Sequence, residues 1–251
     1  MKRSNTYASC IASIEGTRAR CHSYIRNDLK DDTFLETQLY LLAFATGVQD
    51  ATTFPDFHCF ASNQTGNTVL LAVGVFGISG GTFNTVNIGV SLALFVAGVV
   101  IAGQVGNIFG VRKRWWLLTS SLIQTALVFA AAAVQYQYGV PHDGSIAQVT
   151  ITMLAFASGA QVAMVRSLKV TDITTAMATA AYIDIFIDPR VLDVHNGKRN
   201  RRLLFLLSLM AGSFAGAGAY KTINSAFALL VSAIGKLIVT FTFFCNRAQN
   251  V

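Results

Sequence analysis

The sequence predicts an all-α integral membrane protein, with about six transmembrane helices and two short interrupted or re-entrant segments in two internally related, inverted halves. Three observations lead there: an apolar composition, the placing of the few charges, and an internal repeat. Of 251 residues 53% are hydrophobic and only 12% charged, about half the charged share of a soluble domain. Mean hydropathy is +0.51. So few charges cannot clothe a water-facing surface, and the expected partner is the lipid bilayer. The net charge is +7, yet Lys and Arg fall in short clusters between apolar runs. That pattern reads as membrane topology and not as a nucleic-acid stripe, so no nucleic-acid partner is expected.

Apolar segments run at about 35–54, 60–78, 88–111, 115–135, 147–165, 170–187, 203–220 and 225–244. A crossing helix needs about 20 apolar residues, and six segments meet that need. Segment 60–78 opens on the polar run Ser62-Asn-Gln-Thr-Gly-Asn67, and 170–187 is rich in Thr and carries Asp172 and Asp184. The 19 Lys and Arg residues decide how these two behave. If all eight segments cross, 12 of the cations fall inside and six outside; if the two weak segments dip and return, 17 fall inside and only Lys221 outside. The positive-inside bias selects the second arrangement, with both termini cytoplasmic; it does not identify the membrane, for which the plasma membrane is the favoured expectation. Trp115 and Trp116, after the basic triplet Arg112-Lys113-Arg114, suit an interfacial belt.

The repeat supplies the organisation. Leu42-Ala-Phe-Ala-Thr-Gly-Val-Gln-Asp-Ala51 and Leu154-Ala-Phe-Ala-Ser-Gly-Ala-Gln-Val-Ala163 agree at seven of ten positions. Ala97-Gly98 with Ala102-Gly103 echoes Ala211-Gly212 with Gly216-Ala217 at nearly the same offset, 114 against 112. The expected divisions are a polar, flexible cytoplasmic leader at 1–34 with a short helix near 17–29, a first membrane repeat at 35–136, a second at 147–245, and a cytoplasmic tail at 246–251. The leader has no apolar core of signal-peptide length, so the first span is expected to act as an uncleaved anchor. Three spans per half is an odd number, which turns the second copy upside down. Inverted repeats with interrupted segments at matching positions recur in secondary transporters.

Asp50 is the first candidate for chemistry. It lies deep in the first span, with Thr46 and Thr53 on the same helical face. Intramembrane acids are costly and often functional, so it is either an ion or proton site or a structural carboxylate capping the broken segment beside it. Asn63, Gln64, Thr65 and Asn67 can replace missing backbone partners around Gly66, either as a ligand-facing dip or as polar glue between helices. A half-helix expected to start near Thr68 would direct its positive end at that dip, which suits an anion. Asn63-Gln64-Thr65 is also a glycosylation sequon, an unlikely use at membrane depth. In the second half Gln161 matches Gln49, and Asp172, Thr174 and Thr175 occupy the corresponding dip. Asp184 and Asp188 are read as balancing Arg190 and its neighbours, and Lys236 as snorkelling or pairing with an acid. Gly98, Ala102, Gly212, Gly216 and Gly218 form small-residue ridges for close packing.

Cys10, Cys21, Cys59 and Cys245 form no CxxC pair, and His22, His58, His142 and His195 lie in the leader or loops. No metal site, cofactor or catalytic motif is expected, and the chain is read as not an enzyme.

Gly47-Val-Gln-Asp50-Ala51 followed by Phe60-Ala-Ser-Asn-Gln-Thr-Gly-Asn67 resembles the YoaK-like family, the domain of unknown function 1275, whose members show a G-x-x-D-A block and then N-x-T-G-N. Phe54-Pro-Asp-Phe-His-Cys59 between the blocks looks like fungal members. The resemblance implies a multi-pass membrane protein of unestablished role and marks Gly47, Asp50, Ala51, Asn63, Thr65, Gly66 and Asn67 as pattern positions. From the residues, the leading expectation is a secondary transporter or permease of a small solute, proton-coupled through Asp50. The alternative is a non-transporting scaffold or accessory subunit; a homo-oligomer is compatible with either.

Overall fold

A computed structural model describes residues 24–78, 80–170, 173 and 175–249. Eight helices follow one another: α1 (Thr33–Phe57), α2 (Gln64–Val75), α3 (Thr85–Phe109), α4 (Arg114–Tyr138), α5 (Gly144–Ser167), α6 (Ala178–Phe186), α7 (Gly197–Thr222) and α8 (Ser225–Thr242), with a 3₁₀ turn at Phe243–Cys245. Five of them, α3, α4, α5, α7 and α8 with its 3₁₀ extension, are long and apolar enough to cross a membrane. The protein is an all-α, multi-pass integral membrane protein. The first helix has the length, 25 residues or about 37 Å, but not the composition. Its Glu36, Gln38, Gln49 and Asp56 are buried against other helices, so they need not face lipid. By contrast Val96, Val100 and Ile101 on α3 and Phe214 on α7 stand exposed, as lipid-facing residues must.

Neither weak segment crosses. The second helix has 12 residues and α6 has nine, about 18 and 14 Å against a hydrocarbon core of about 30 Å. The half-helix expected from Thr68 starts earlier, at Gln64, because the Asn63 side chain caps it through the Gly66 N–H at 3.2 Å. Among the described residues of 170–187, helix runs over Ala178–Phe186.

The bundle is organised by crossings in which backbone touches backbone. The first helix packs on α7 and α8, α3 on α5, and α4 on α5 and α8, while α2 lies on α3 and α6 on α7. A Cβ on Gly47 would sit 2.2 Å from Leu209 O and one on Gly212 2.0 Å from Phe44 O, both at the α1–α7 crossing. At the α3–α5 crossing, Gly98 would meet Phe156 O at 2.4 Å and Gly159 would meet Phe95 O at 2.1 Å. Only a residue without a side chain permits such an approach. Gly216 joins them, against Val48, whereas Gly218 faces open space and does not belong to the ridge.

The basic clusters collect at one end. Leu29 N–H donates to Arg112 O, Arg114 N–H to Asn27 O, Lys30 N–H to Arg247 O and Gln249 N–H to Asp28 O. The end of the leader is therefore not free: residues 27–30 are laced between the α3–α4 turn and the tail, and Leu29 is buried. Most of the helix expected near 17–29 lies outside the described residues; 24–26 are helical. Lys113 pairs with Asp28 at 3.0 Å and Arg201 with Glu36 at 2.6 Å. Arg114, read from sequence as one of three topological cations, is 0% exposed. It donates to Phe243 O, Phe244 O and Asn246 O at 3.2, 2.7 and 2.7 Å and to the Tyr24 hydroxyl at 2.8 Å. It caps the carbonyls that α8 leaves unpaired at its C-terminal end. The opposite end carries the turns 58–63, 76–78 with 80–84, 139–143 and 223–224.

Asp188, before α7, accepts from Asn196 Nδ2 and the Arg190 N–H, both at 2.9 Å. The Asn196 bond first, then the Arg190 N–H, holds its carboxyl below the usual range. The order this lends to the 188–196 loop is thus complete at neutral pH and is lost only as pH falls through that lowered value. Hydrogen exchange across the loop should rise in acid only after exposed carboxylates have titrated. Gly212→Ala should destabilise the detergent-solubilised protein by about 1–3 kcal/mol or prevent folding. Gly218→Ala should leave its unfolding temperature unchanged.

Candidate functional site

After Phe57 the chain leaves α1 at His58, in the left-handed region at φ 53°, and turns back into the bundle before α2 begins. Five residues there have no helix to satisfy their backbone. The signature side chains do so instead. Asn67 grips the Phe60 peptide from both sides, accepting its N–H through Oδ1 and donating to its carbonyl through Nδ2, each at 2.8 Å. Ser91 of α3 donates to the same carbonyl at 2.7 Å. The Ala61 N–H reaches Thr53 Oγ1 at 3.3 Å, and Gln64 Nε2 donates to Ala61 O at 3.1 Å. Asp50 completes the clamp: Oδ1 accepts the Ser62 N–H at 2.9 Å and Oδ2 the Ser62 hydroxyl at 2.5 Å. Phe60 stacks on Phe54 with centroids 4.7 Å apart, and a Cβ on Gly66 would press on the Phe60 ring at 3.0 Å.

Of the two readings of Asp50, the geometry thus places its carboxylate as the cap of the broken segment. Asn63, Gln64, Gly66 and Asn67 serve that segment too, while Thr65 is exposed. Because Ser62 sits level with Asp50 and Gly74 comes up beside Thr85 at the start of α3, the segment is a dip that returns to the end where it entered.

Gln49 and Gln161 lie apart from the dip and link α1 to α5. Gln49 Nε2 donates to Ser158 Oγ at 2.7 Å and to Leu154 O at 3.2 Å, and Gln161 Nε2 donates to Thr46 Oγ1 at 2.9 Å. The bonds are reciprocal, since Thr46 and Ser158 hold matching places in the two ten-residue blocks. Lys236 Nζ donates to Gln161 Oε1. It is 1% exposed, does not snorkel, and meets no acid among the described residues. In the second dip, Thr175 is buried with φ 57°, and Asp172 and Thr174 lie outside the described residues. Those candidates are therefore not brought to Asp50 by anything the structure describes.

Sequence reasoning missed a second acid. Asp56 is 1% exposed; its Oδ2 accepts from Gln135 Nε2 at 3.0 Å and from the Ser225 hydroxyl. Its carbonyl accepts from His142 Nδ1 at 2.6 Å, and His142 stacks on His58 with centroids 5.8 Å apart. Asp56 joins α1, α4 and α8 at the end opposite the basic clusters. The signal was present in the sequence: a second carboxylate in a span already too polar for lipid. A cavity of about 610 Å³ lies at the basic end, lined by Ile25, Arg26, Ile108, Phe109, Lys113 and Trp115, and not around Asp50 or Lys236.

Asn67→Ala would strand the Phe60 N–H and cost about 1–3 kcal/mol, whereas Thr65→Ala should stay within about 0.5 kcal/mol of the parent. Thermal unfolding of the two variants in the same detergent checks the contrast.

Comparison with curated proteins and with solved structures gives no match. Residues 38–242 match the family model described as protein of unknown function DUF1275, a match that runs from within α1 to the end of α8 and takes in all the signature positions, and the chain belongs to that family.

Proposed function

We propose that the protein is a secondary transporter or permease of a small solute, built from two inverted repeats. The observation that carries this reading is an exchange relation. Swapping α1 with α5, α2 with α6, α3 with α7 and α4 with α8 turns each helix pairing into another pairing of the same bundle. The glycine crossings exchange in the same way, Gly47 with Gly159 and Gly98 with Gly212, as do the Gln49–Ser158 and Gln161–Thr46 bonds. The first helix starts at the basic end and α5 finishes there, so the exchange axis lies in the membrane plane. Two packings related by such an axis interconvert when one half adopts the geometry of the other, which is how inverted repeats give alternating access.

Asp50 fits a coupling role beside its capping role. The Ser62 hydroxyl can donate to a carboxylate or accept from a carboxylic acid, so the latch survives a proton while the local charge changes by one. No enzymatic role is assigned. We read both termini as cytoplasmic because, among the described residues, the basic end holds most of the Lys and Arg. Solute flux into proteoliposomes tests the reading. Wild type should carry a solute with pH-dependent rate, and Asp50→Asn should slow that flux at least about tenfold, a barrier change of about 1.4 kcal/mol, and flatten its pH dependence. Flux and pH dependence both intact in Asp50→Asn would remove the coupling role. Single cysteines at Thr82 and His195, in a variant lacking the native cysteines, check topology. An impermeant maleimide should label Thr82→Cys from outside and leave His195→Cys untouched.

The position of the 610 Å³ cavity, at the edge of the bundle, favours a second reading as a non-transporting scaffold or accessory subunit. That reading requires the absence of flux for every solute tried, together with a partner retained through purification in mild detergent.

A further inference from the structure

Two polar groups at the centre of the bundle lack a full set of partners. Lys236 lies within α8, and its Nζ has Gln161 Oε1 as its one hydrogen-bond partner. Among the described residues no carboxylate lies within 4 Å of it. Gln49 Oε1, buried on α1, accepts from nothing. The two are parts of one set. Thr46 and Gln49 are three residues apart on α1 and Ser158 and Gln161 three apart on α5, so all four share the face between those helices. Gln161 brings Lys236 to that face.

The contrast with Arg114 is informative. Where a buried cation serves the fold, the chain gives its two terminal nitrogens four oxygens, from Tyr24, Phe243, Phe244 and Asn246, and leaves Nε without a partner among the described residues. Lys236 has three protons to place and one acceptor. A methionine would fill similar space without that deficit, so packing does not call for a lysine. Cations at this depth mark solute or ion paths and pair with whatever compensates them.

We propose that Lys236, with Gln161 and Gln49, binds the anionic group of the carried solute, a compact carboxylate or an inorganic anion of similar size. Lys236 supplies the countercharge, Gln161 orients it, and the Gln49 carbonyl oxygen takes a hydroxyl or amide donor of a carboxylate solute. This names the solute class for the transporter reading and rests on it for the word solute; the binding site itself does not require transport. Access requires α8 to part from α1, since the cluster is closed in this conformation.

The test is thermal unfolding of the full-length protein in detergent, followed through Trp115 and Trp116, at constant ionic strength. Chloride, phosphate, acetate, lactate and succinate are compared with bulky gluconate. At least one compact anion at ~50 mM should raise the wild-type unfolding temperature by about 3 °C or more over gluconate. Lys236→Met should fold, unfold at or above the wild-type temperature in gluconate, and lose the anion response. Gln161→Glu keeps the lysine and gives it a built-in counter-ion, so it too should lose the response while gaining stability in gluconate. It also decides the matter if Lys236→Met fails to fold. Asp50→Asn should keep the response. Wild type responding to none of these anions, or Gln161→Glu responding as wild type does, overturns the proposal. Anion binding without flux in proteoliposomes would retire the transporter reading and leave the site standing. Flux of a cation unaffected by Lys236→Met would do the reverse.

Discussion

Hydrocarbon supplies no hydrogen-bond partners, so each peptide group at membrane depth must find one within the protein. Continuous helices meet that demand by their own geometry. This chain breaks the rule twice, and at the first break, between Phe57 and Gln64, polar side chains of α1, α2 and α3 stand in for the missing ladder. Asn67 acts as a surrogate peptide, with a donor and an acceptor facing the donor and acceptor of Phe60. Asp50 contributes two acceptors where Ser62 has two donors. The features that make the sequence recognisable as a family member are largely the solution to this local problem, which explains why so many polar residues cluster there without implying that each touches a ligand.

Close helix contact follows from the same constraint by another route. Without water to drive helices together, association rests on van der Waals contact and interhelical polar bonds. The glycines at 47, 98, 159 and 212 bring Cα surfaces together at the α1–α7 and α3–α5 crossings, and Gln49 and Gln161 tie those two pairs to each other across the α1–α5 contact. Larger residues at the crossings would push α7 off α1 and α3 off α5.

Much of this architecture was legible in the sequence. The six long segments, the two failures among eight, the matching ten-residue blocks and the polar dip all follow from composition, length and spacing. Roles that depend on distant residues were not. Arg114 looks like any member of a basic triplet until Phe243–Asn246 is placed beside it, some 130 residues away. Asp56 looks like the frayed end of a span, and its partners Gln135 and Ser225 come from two other helices. Lys236 invited a carboxylate partner because a charge at that depth normally has one; the amide of Gln161 was not an obvious substitute. Thr68 stands next to the apolar run, but Asn63 has the side chain that caps the helix.

The weave at the basic end bears on the order in which the molecule is made. Arg114 emerges from the ribosome with α4, yet the carbonyls it caps follow α8, some 130 residues later. Until then the guanidinium has no permanent acceptors, and residues 27–30 have only the α3–α4 turn to hold them. Completion of the fold therefore waits on the synthesis of the segment that follows α8, and a nascent protein stalled one helix short would present an uncapped arginine and an open edge to whatever quality-control machinery inspects that face of the membrane.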